Sequence, residues 1–192
     1  VTDTVAKVSV ETRLLNNTPA RARTNIVYYI TDTKGNRVTG SLVEGVSVSP
    51  GDTKKIQYQF NITNPVLWSL DNPHCYKLIT LVKQDATNII IDSISTTFGI
   101  RTIKMDPVKG LSLNGKPIKI YGVCCHQDHA GVGSALPDAL QYYRIKLLKE
   151  MGVNAYRTSH NPPTPELLQA CDELGMLVLD ENRLIGTSTE YM

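Results

Sequence analysis

Apolar and polar residues alternate one for one through much of the first hundred positions. Ala6, Val8, Val10, Thr12 and Leu14 are separated by Lys7, Ser9, Glu11 and Arg13, the period of two that sets one face of a strand on a core and the other in water. Thr24, Ile26, Tyr28 and Ile30 repeat the pattern against Arg23, Asn25, Val27 and Tyr29. Further strands are predicted over 38–48, 53–62, 76–84 and 89–98. They are punctuated by Asn16-Asn17-Thr18-Pro19, Lys34-Gly35-Asn36, Ser49-Pro50-Gly51-Asp52, Asn64-Pro65 and Asp71-Asn72-Pro73, residue types that start or tighten turns. Six or seven short strands in roughly 100 residues suit an immunoglobulin-like sandwich. Trp68, the single tryptophan, reads as a large apolar plug rather than a sugar platform.

After Arg101 the period changes. Leu111-Ser112-Leu113, Asn114-Gly115 and Pro117-Ile118-Lys119-Ile120 form a hairpin pattern around a strong two-residue turn signal, and the second arm is expected to run on as a buried strand through Val123. A helix starts at Pro137-Asp138, with Leu140, Tyr143, Leu147, Leu148 and Met151 at spacings of three and four, and stops at Gly152. A strand over 153–157 follows. Next come Thr164 as a helix cap with Pro165 in the first turn, a helix over 165–174 stopped by Gly175, and a strand over 176–180. Strand, helix, strand, helix, strand implies parallel strands joined by crossovers. The expected organisation is two domains, an all-β sandwich over 1–101 and a β/α segment over 102–192.

Each of the three parallel strands ends in polar residues: His126 and Asp128, then Arg157, His160 and Asn161, then Asp180, Glu181 and Asn182. Ligand sites of α/β proteins collect where loops leave the carboxyl ends of such strands. The stretch Tyr156-Arg157-Thr158-Ser159-His160-Asn161-Pro162-Pro163 carries a guanidinium, an imidazole, a hydroxyl and an amide suited to a polyhydroxylated ligand. The plainer alternative is that His160 and Asn161 shape a proline-rich turn and that Arg157 pairs with a buried acid.

Composition narrows the classes. Twenty basic against eighteen acidic residues, with no basic stripe or acidic tail, argue against nucleic acid or an anionic membrane as the main partner. No run of 18 apolar residues occurs. Cys75, Cys124, Cys125 and Cys171 lack a disulfide spacing and read as free thiols in packed positions. That leaves the compartment open between a bacterial cytoplasm and a periplasm. Val1 opens in strand-like sequence without an initiator Met, so a piece of a longer polypeptide is expected. Cys124, Cys125, His126, Asp128 and His129 match no common zinc spacing, so neither a metal nor a cofactor is expected. Cys125 with His160 as a nucleophilic pair lacks an activating motif. Asp180 and Glu181, adjacent on a strand, point to opposite faces and cannot easily serve one bond together.

The segments Asn64-Pro65-Val66-Leu67-Trp68-Ser69, Phe98-Gly99-Ile100-Arg101, Leu113-Asn114-Gly115-Lys116-Pro117, Gly122-Val123-Cys124 with His126, Arg157-Thr158-Ser159-His160-Asn161-Pro162-Pro163 and Asp180-Glu181-Asn182-Arg183 resemble, in this order, glycoside hydrolase family 2. That is the family of β-galactosidases and β-glucuronidases, and the loop wording is closer to the β-galactosidases. The resemblance implies an immunoglobulin-like sandwich followed by the first β/α units of a (β/α)8 TIM barrel. It also implies a carbohydrate substrate and hydrolysis of terminal β-glycosidic bonds by two glutamates, one in an Asn-Glu motif ending the fourth barrel strand and one ending the seventh. No Asn-Glu pair occurs in this chain, so no catalytic residue is assigned here, and the isolated chain is expected to be inactive without the rest of its parent. By resemblance, Arg157 braces the site or a catalytic carboxylate, His160 and Asn161 line the subsite of the non-reducing sugar, and Asp180 and Asn182 support its rim; His126, at the first strand end, is counted with them as a substrate-binding candidate. A stand-alone carbohydrate-binding module and a structural spacer remain as rival readings.

Overall fold

The computed structural model describes residues 4–182, which fall into two compact units: residues 4–66 with Cys75–Ile100, and Leu67–His74 with residues 101–182. In the first, β1 (Val5–Leu15) pairs antiparallel with β4 (Thr53–Thr63). A second sheet has the order β3-β2-β5-β6, with β2 at Ala22–Thr31, β3 at Arg37–Val48, β5 at Cys75–Gln84 and β6 at Ile90–Gly99. Every predicted strand of this unit is present within a residue or so of its expected bounds. The alternation decides what is buried: Thr24, Ile26, Tyr28 and Ile30 from β2 meet Ala6 and Val10 from β1 and Ile56, Phe60 and Ile62 from β4 in the core. Each such aliphatic side chain contributes about 1.5–3 kcal/mol by leaving water. The Tyr28 hydroxyl donates to Thr12 Oγ1 at 2.8 Å, so its polar end is satisfied where its ring packs on Tyr58 and Phe60. The break after β1 is held by buried Asn16, whose amide donates to the carbonyls of Ala20 and Val48 while its oxygen accepts from Thr18. β6 is a strand whose apolar positions lie largely outside, Ile90, Ile91 and Ile94 all being exposed.

The second unit opens with a small antiparallel sheet of β7 (Ile103–Asp106), β8 (Gly110–Leu113) and β9 (Lys116–Pro117). β7 was not expected: Ile103-Lys104-Met105-Asp106 alternates, but over only four residues. Asn114 and Gly115 make the predicted turn with φ of +51° and +76°, the left-handed pair that a type I′ turn requires. The hairpin's second arm does not run on as expected. β9 ends at Pro117, one further bond from Ile118 N to Leu111 O at 2.9 Å completes its pairing with β8, and β10 (Gly122–Cys125) belongs to a different sheet. Between them Asn154 fastens the chain: its side chain accepts from Tyr121 N at 2.8 Å and donates to Lys119 O at 2.8 Å.

β10, β11 (Ala155–Thr158) and β12 (Leu177–Leu179) are parallel in that order, as the strand-helix alternation implied. α1 (Asp138–Glu150) and α2 (Pro165–Leu174) cross between them. α2 follows its local signals throughout. Thr164 Oγ1 accepts from Leu167 N at 3.3 Å, Pro165 occupies the first turn, and Gly175 closes the helix at φ +75°. The predicted apolar face of α1 is wrong. Gln141 and Ile145 are buried, with Leu148 half-buried beside them, whereas Tyr143, Leu147 and Met151 are exposed. The apolar residues of α1 offer two stripes of similar quality, and packing against α2 selects the one containing Gln141, whose oxygen accepts the Thr164 hydroxyl at 2.6 Å. The core here is Ile145, Val153, Tyr156, Leu167, Ala170, Cys171 and Met176, with Val123, Cys125 and Val178 against it.

Trp68 is buried as a plug, its indole N–H donating to Asp172 O at 2.7 Å and its ring lying under the Arg101 guanidinium at 4.5 Å. The expectation that all four thiols are packed fails for Cys124, which is exposed because its position on β10 faces away from the helices. Cys171 is buried, and desolvation pushes its thiol up to about 12. Among the described residues no helix is long and apolar enough to cross a membrane.

Candidate functional site

Strand register determines which side chains meet. Val123, Tyr156 and Val178 are register neighbours and point into the helices; one residue on, Cys124, Arg157 and Leu179 are register neighbours and point to the opposite face. Arg157 is thus fixed on the open side of the sheet, one residue before β11 ends. Its Nη2 donates to Glu181 Oε1 at 3.0 Å and lies 2.9 Å from Oε2, an ion pair in which only Oε1 takes a hydrogen bond. Its Nη1 donates to Ser159 Oγ at 3.3 Å and approaches Cys124 Sγ at 3.6 Å. His160 Nδ1 lies 2.9 Å from the same Glu181 Oε1, and the His126 ring stands edge-on to the His160 ring at a centroid distance of 5.5 Å.

Glu181 is therefore the hub of the cluster. The backbone holds it there, since its own N–H donates to Thr158 Oγ1 at 2.9 Å. Hydrogen bonding to His160 and the Arg157 charge hold its carboxyl below the usual glutamate range, against an opposing push from burial. The Cys124 sulfur and then the Glu181 charge keep Arg157 still more firmly cationic than a free guanidinium. A matched cation and anion with an imidazole beside them make a nearly neutral polar rim, suited to hydroxyl-bearing ligands. It is not a pair of free carboxylates, because both Glu181 oxygens already face Arg157.

The candidates from sequence are placed as follows. Arg157, His160 and His126 come together around Glu181. Asn161 lines a cavity of about 150 Å³ whose walls include Cys125 and Tyr156 from the strands and Gln141 and Arg144 from α1. Burial pushes the Tyr156 phenol up to about 12, so it stays neutral there. Asp180 and Asn182 are exposed, and none of the cluster's hydrogen bonds given above involves Asp180. Arg183 lies outside the described residues. Sequence reasoning placed Glu181 among the polar strand ends but gave the rim to Asp180 and Asn182, although a signal for Glu181 was present. Leu179 shares a face with Arg157, and two residues on, the same face carries Glu181 rather than Asp180. Sequence reasoning missed Arg144, which donates to the carbonyls of His126 at 3.0 Å and Asp128 at 3.3 Å and so fixes the first polar strand end.

Comparison with known proteins agrees with this architecture. A family model described as glycosyl hydrolases family 2 matches residues 1–101, and one described as glycosyl hydrolases family 2, TIM barrel domain, matches residues 104–192. The beta-galactosidase BoGH2A of Bacteroides ovatus is 35% identical over 176 residues, covering 92% of this chain and 20% of the relative. A putative beta-glucuronidase of Formosa agariphila is 35% identical over 169 residues, covering 87% of this chain and 19% of the relative. The crystal structure of a Bacteroides uniformis beta-glucuronidase superposes with a TM-score of 0.92 at 29% identity, covering 100% of this chain and 23% of that one. The chain thus spans about a fifth of the length of these relatives. Its strands form an immunoglobulin-like sandwich followed by the start of a TIM barrel.

Proposed function

The chain belongs to glycosyl hydrolases family 2, and from that premise we propose that it forms part of an O-glycosyl hydrolase that cleaves terminal β-galactosidic bonds. Residues 1–101, apart from Leu67–His74, which belong to the second unit, serve as the sandwich domain, and residues 102–192 open the catalytic barrel. The observation that carries this reading is the Arg157–Glu181–His160 cluster at the carboxyl ends of β11 and β12, the place where barrel enzymes collect their chemistry. His160 and Asn161 contact the non-reducing sugar, Arg157 braces the site through Glu181, and His126, Asp180 and Asn182 complete the rim. The relatives favour a glycosidase and include a beta-galactosidase at 35% identity. Beta-glucuronidases stand among them too, which makes a β-glucuronide the second reading.

Retaining hydrolysis needs an acid and a nucleophile roughly 5–5.5 Å apart across the bond. Glu181 is engaged by Arg157 and His160 and no Asn-Glu pair is present, so both catalytic groups belong to further residues of the parent enzyme. The test is turnover of aryl β-galactosides and aryl β-glucuronides by the parent gene product, with product stereochemistry followed by NMR. Galactoside cleavage with retention supports the proposal. Glucuronide cleavage alone transfers it to the second reading, and cleavage of neither sinks both.

A further inference from the structure

We propose that Glu181 is a positioning residue that locks neutral His160 as the Nδ1–H tautomer, so that Nε2 presents the site with a lone pair that accepts a hydrogen bond from a sugar hydroxyl. An ionised carboxylate can only accept hydrogen bonds. The nitrogen that faces it at 2.9 Å must therefore carry the proton, and in a neutral imidazole the other nitrogen is then an acceptor. Glu181 is ionised under ordinary conditions because Arg157 Nη2 lies within 3.0 Å of both its oxygens. A neutral carboxyl there would oppose its own proton to a guanidinium that has only protons to give. The bond from Glu181 N to Thr158 Oγ1 ties the main chain of the acid to the end of β11, and Arg157 Nη2 holds its carboxylate beside Nδ1.

The His160 side chain is 37% exposed, and among the described residues Nε2 has no hydrogen-bond partner, so the lone pair is open to a ligand. A donor must meet it. A sugar hydroxyl is a donor, whereas an ether oxygen or a carboxylate is not. The positive charge that would attract a carboxylate is already matched, Arg157 by Glu181. The ligand chemistry that fits this point is an uncharged hydroxyl, which deepens the galactoside reading above and rests on it for the identity of the ligand.

Two measurements decide it, and the first does not depend on activity. In the chain labelled with 15N-histidine, at a pH where the imidazole is neutral, long-range 1H–15N correlation should show a pyrrole-type Nδ1 and a pyridine-type Nε2 for His160. His160→Gln identifies the signal. Glu181→Ala should turn the pattern into the averaged shifts of a mixed tautomer, while Glu181→Asp should partly retain it. If His160 shows a protonated Nε2, or if Glu181→Ala leaves its tautomer unchanged, the positioning role is overturned. The second is competitive inhibition of the parent enzyme by galactose and its monodeoxy and monodeoxyfluoro analogues. At the one ring position whose deoxy penalty disappears in His160→Ala, removal of the hydroxyl should weaken wild-type binding roughly three- to tenfold. Fluorine, which can accept but not donate, should restore nothing. Fluorine rescue at that position, or no position coupled to His160, overturns the acceptor role. An enzyme with no affinity for galactose defeats the function proposed above and leaves the tautomer result standing.

Discussion

Replacing Gly175 by Ala should unfold the second unit far more readily than the same change at Gly152. Both glycines follow a helix, and both are left-handed, at φ +75° and +86°. An L-residue in that region costs about 1–2 kcal/mol. They differ in what a methyl group would meet. At Gly152 nothing lies within 4 Å, so the backbone cost stands alone. At Gly175 a Cβ would sit 2.3 Å from the Leu70 carbonyl oxygen and 3.0 Å from its carbon, and backbone must move. That movement disturbs Lys149, whose ammonium donates at 2.7 Å to both Leu70 O and Gly175 O. Desolvation lowers the Lys149 pKa, so these carbonyls are its compensation for burial. A hydrogen bond to a charged group is worth about 1.5–3 kcal/mol, and adding the backbone cost gives about 2.5–5 kcal/mol for Gly175→Ala against about 1–2 kcal/mol for Gly152→Ala. Urea unfolding followed by fluorescence reads this unit specifically, because the single tryptophan, Trp68, is buried within it. Equal losses for the two variants would refute the reasoning, since they would mean that the close approach of residue 70 contributes nothing.

Three further outcomes are expected. Thr164→Ala should cost about 1–3 kcal/mol in the same assay, since it removes the cap on Leu167 N and leaves the buried Gln141 oxygen without its donor, and Thr164→Ser should recover much of the loss. Because the folded-state pKa of Glu181 is depressed, its contribution is present above the unfolded value near ~4.3 and is lost as pH falls through the lower folded value. The melting temperature of the wild type should therefore fall more steeply below about pH 5 than that of Glu181→Gln, and parallel profiles would contradict the coupling. Hydrogen exchange should show residues 102–182 opening before the sandwich core at Ile26, Tyr28 and Ile30. The second unit leaves Tyr143, Met151 and Leu179 exposed, and it has fewer buried strands to protect its amides; equal protection would contradict this.

Sequence reasoning reached as far as local chemistry determines structure. In the sandwich, one buried face per strand gives a period that can be read directly, and Ile26, Tyr28 and Ile30 fall inward as it requires. α2 was legible because cap, proline and terminal glycine all act within a few residues of one another. α1 was legible in extent but not in orientation, because only its contact with α2 decides between two apolar stripes. The site divides the same way. That Arg157 and His160 stand at a strand end follows from their place in the pattern. That Glu181 joins them is a matter of register between β11 and β12, which the period-2 rule contains only once the strands are aligned. Where β9 gives way to β10 carries no local mark, since Ile118 still donates to Leu111 O beyond Pro117, and reading on through it merged two sheets into one strand.

The central claim is that the polar ends of β10, β11 and β12 hold a sugar, and it is tested most directly by kinetics and melting of one variant, His160→Ala, in the parent enzyme. The account predicts that kcat/KM on an aryl β-galactoside falls by roughly 10- to 1,000-fold, the loss of one hydrogen bond that tightens in the transition state at ~1.4 kcal/mol per tenfold, while the melting temperature stays within a few degrees of wild type. A variant that melts much earlier yet turns over normally in its folded fraction would make His160 a structural residue and remove it from the site.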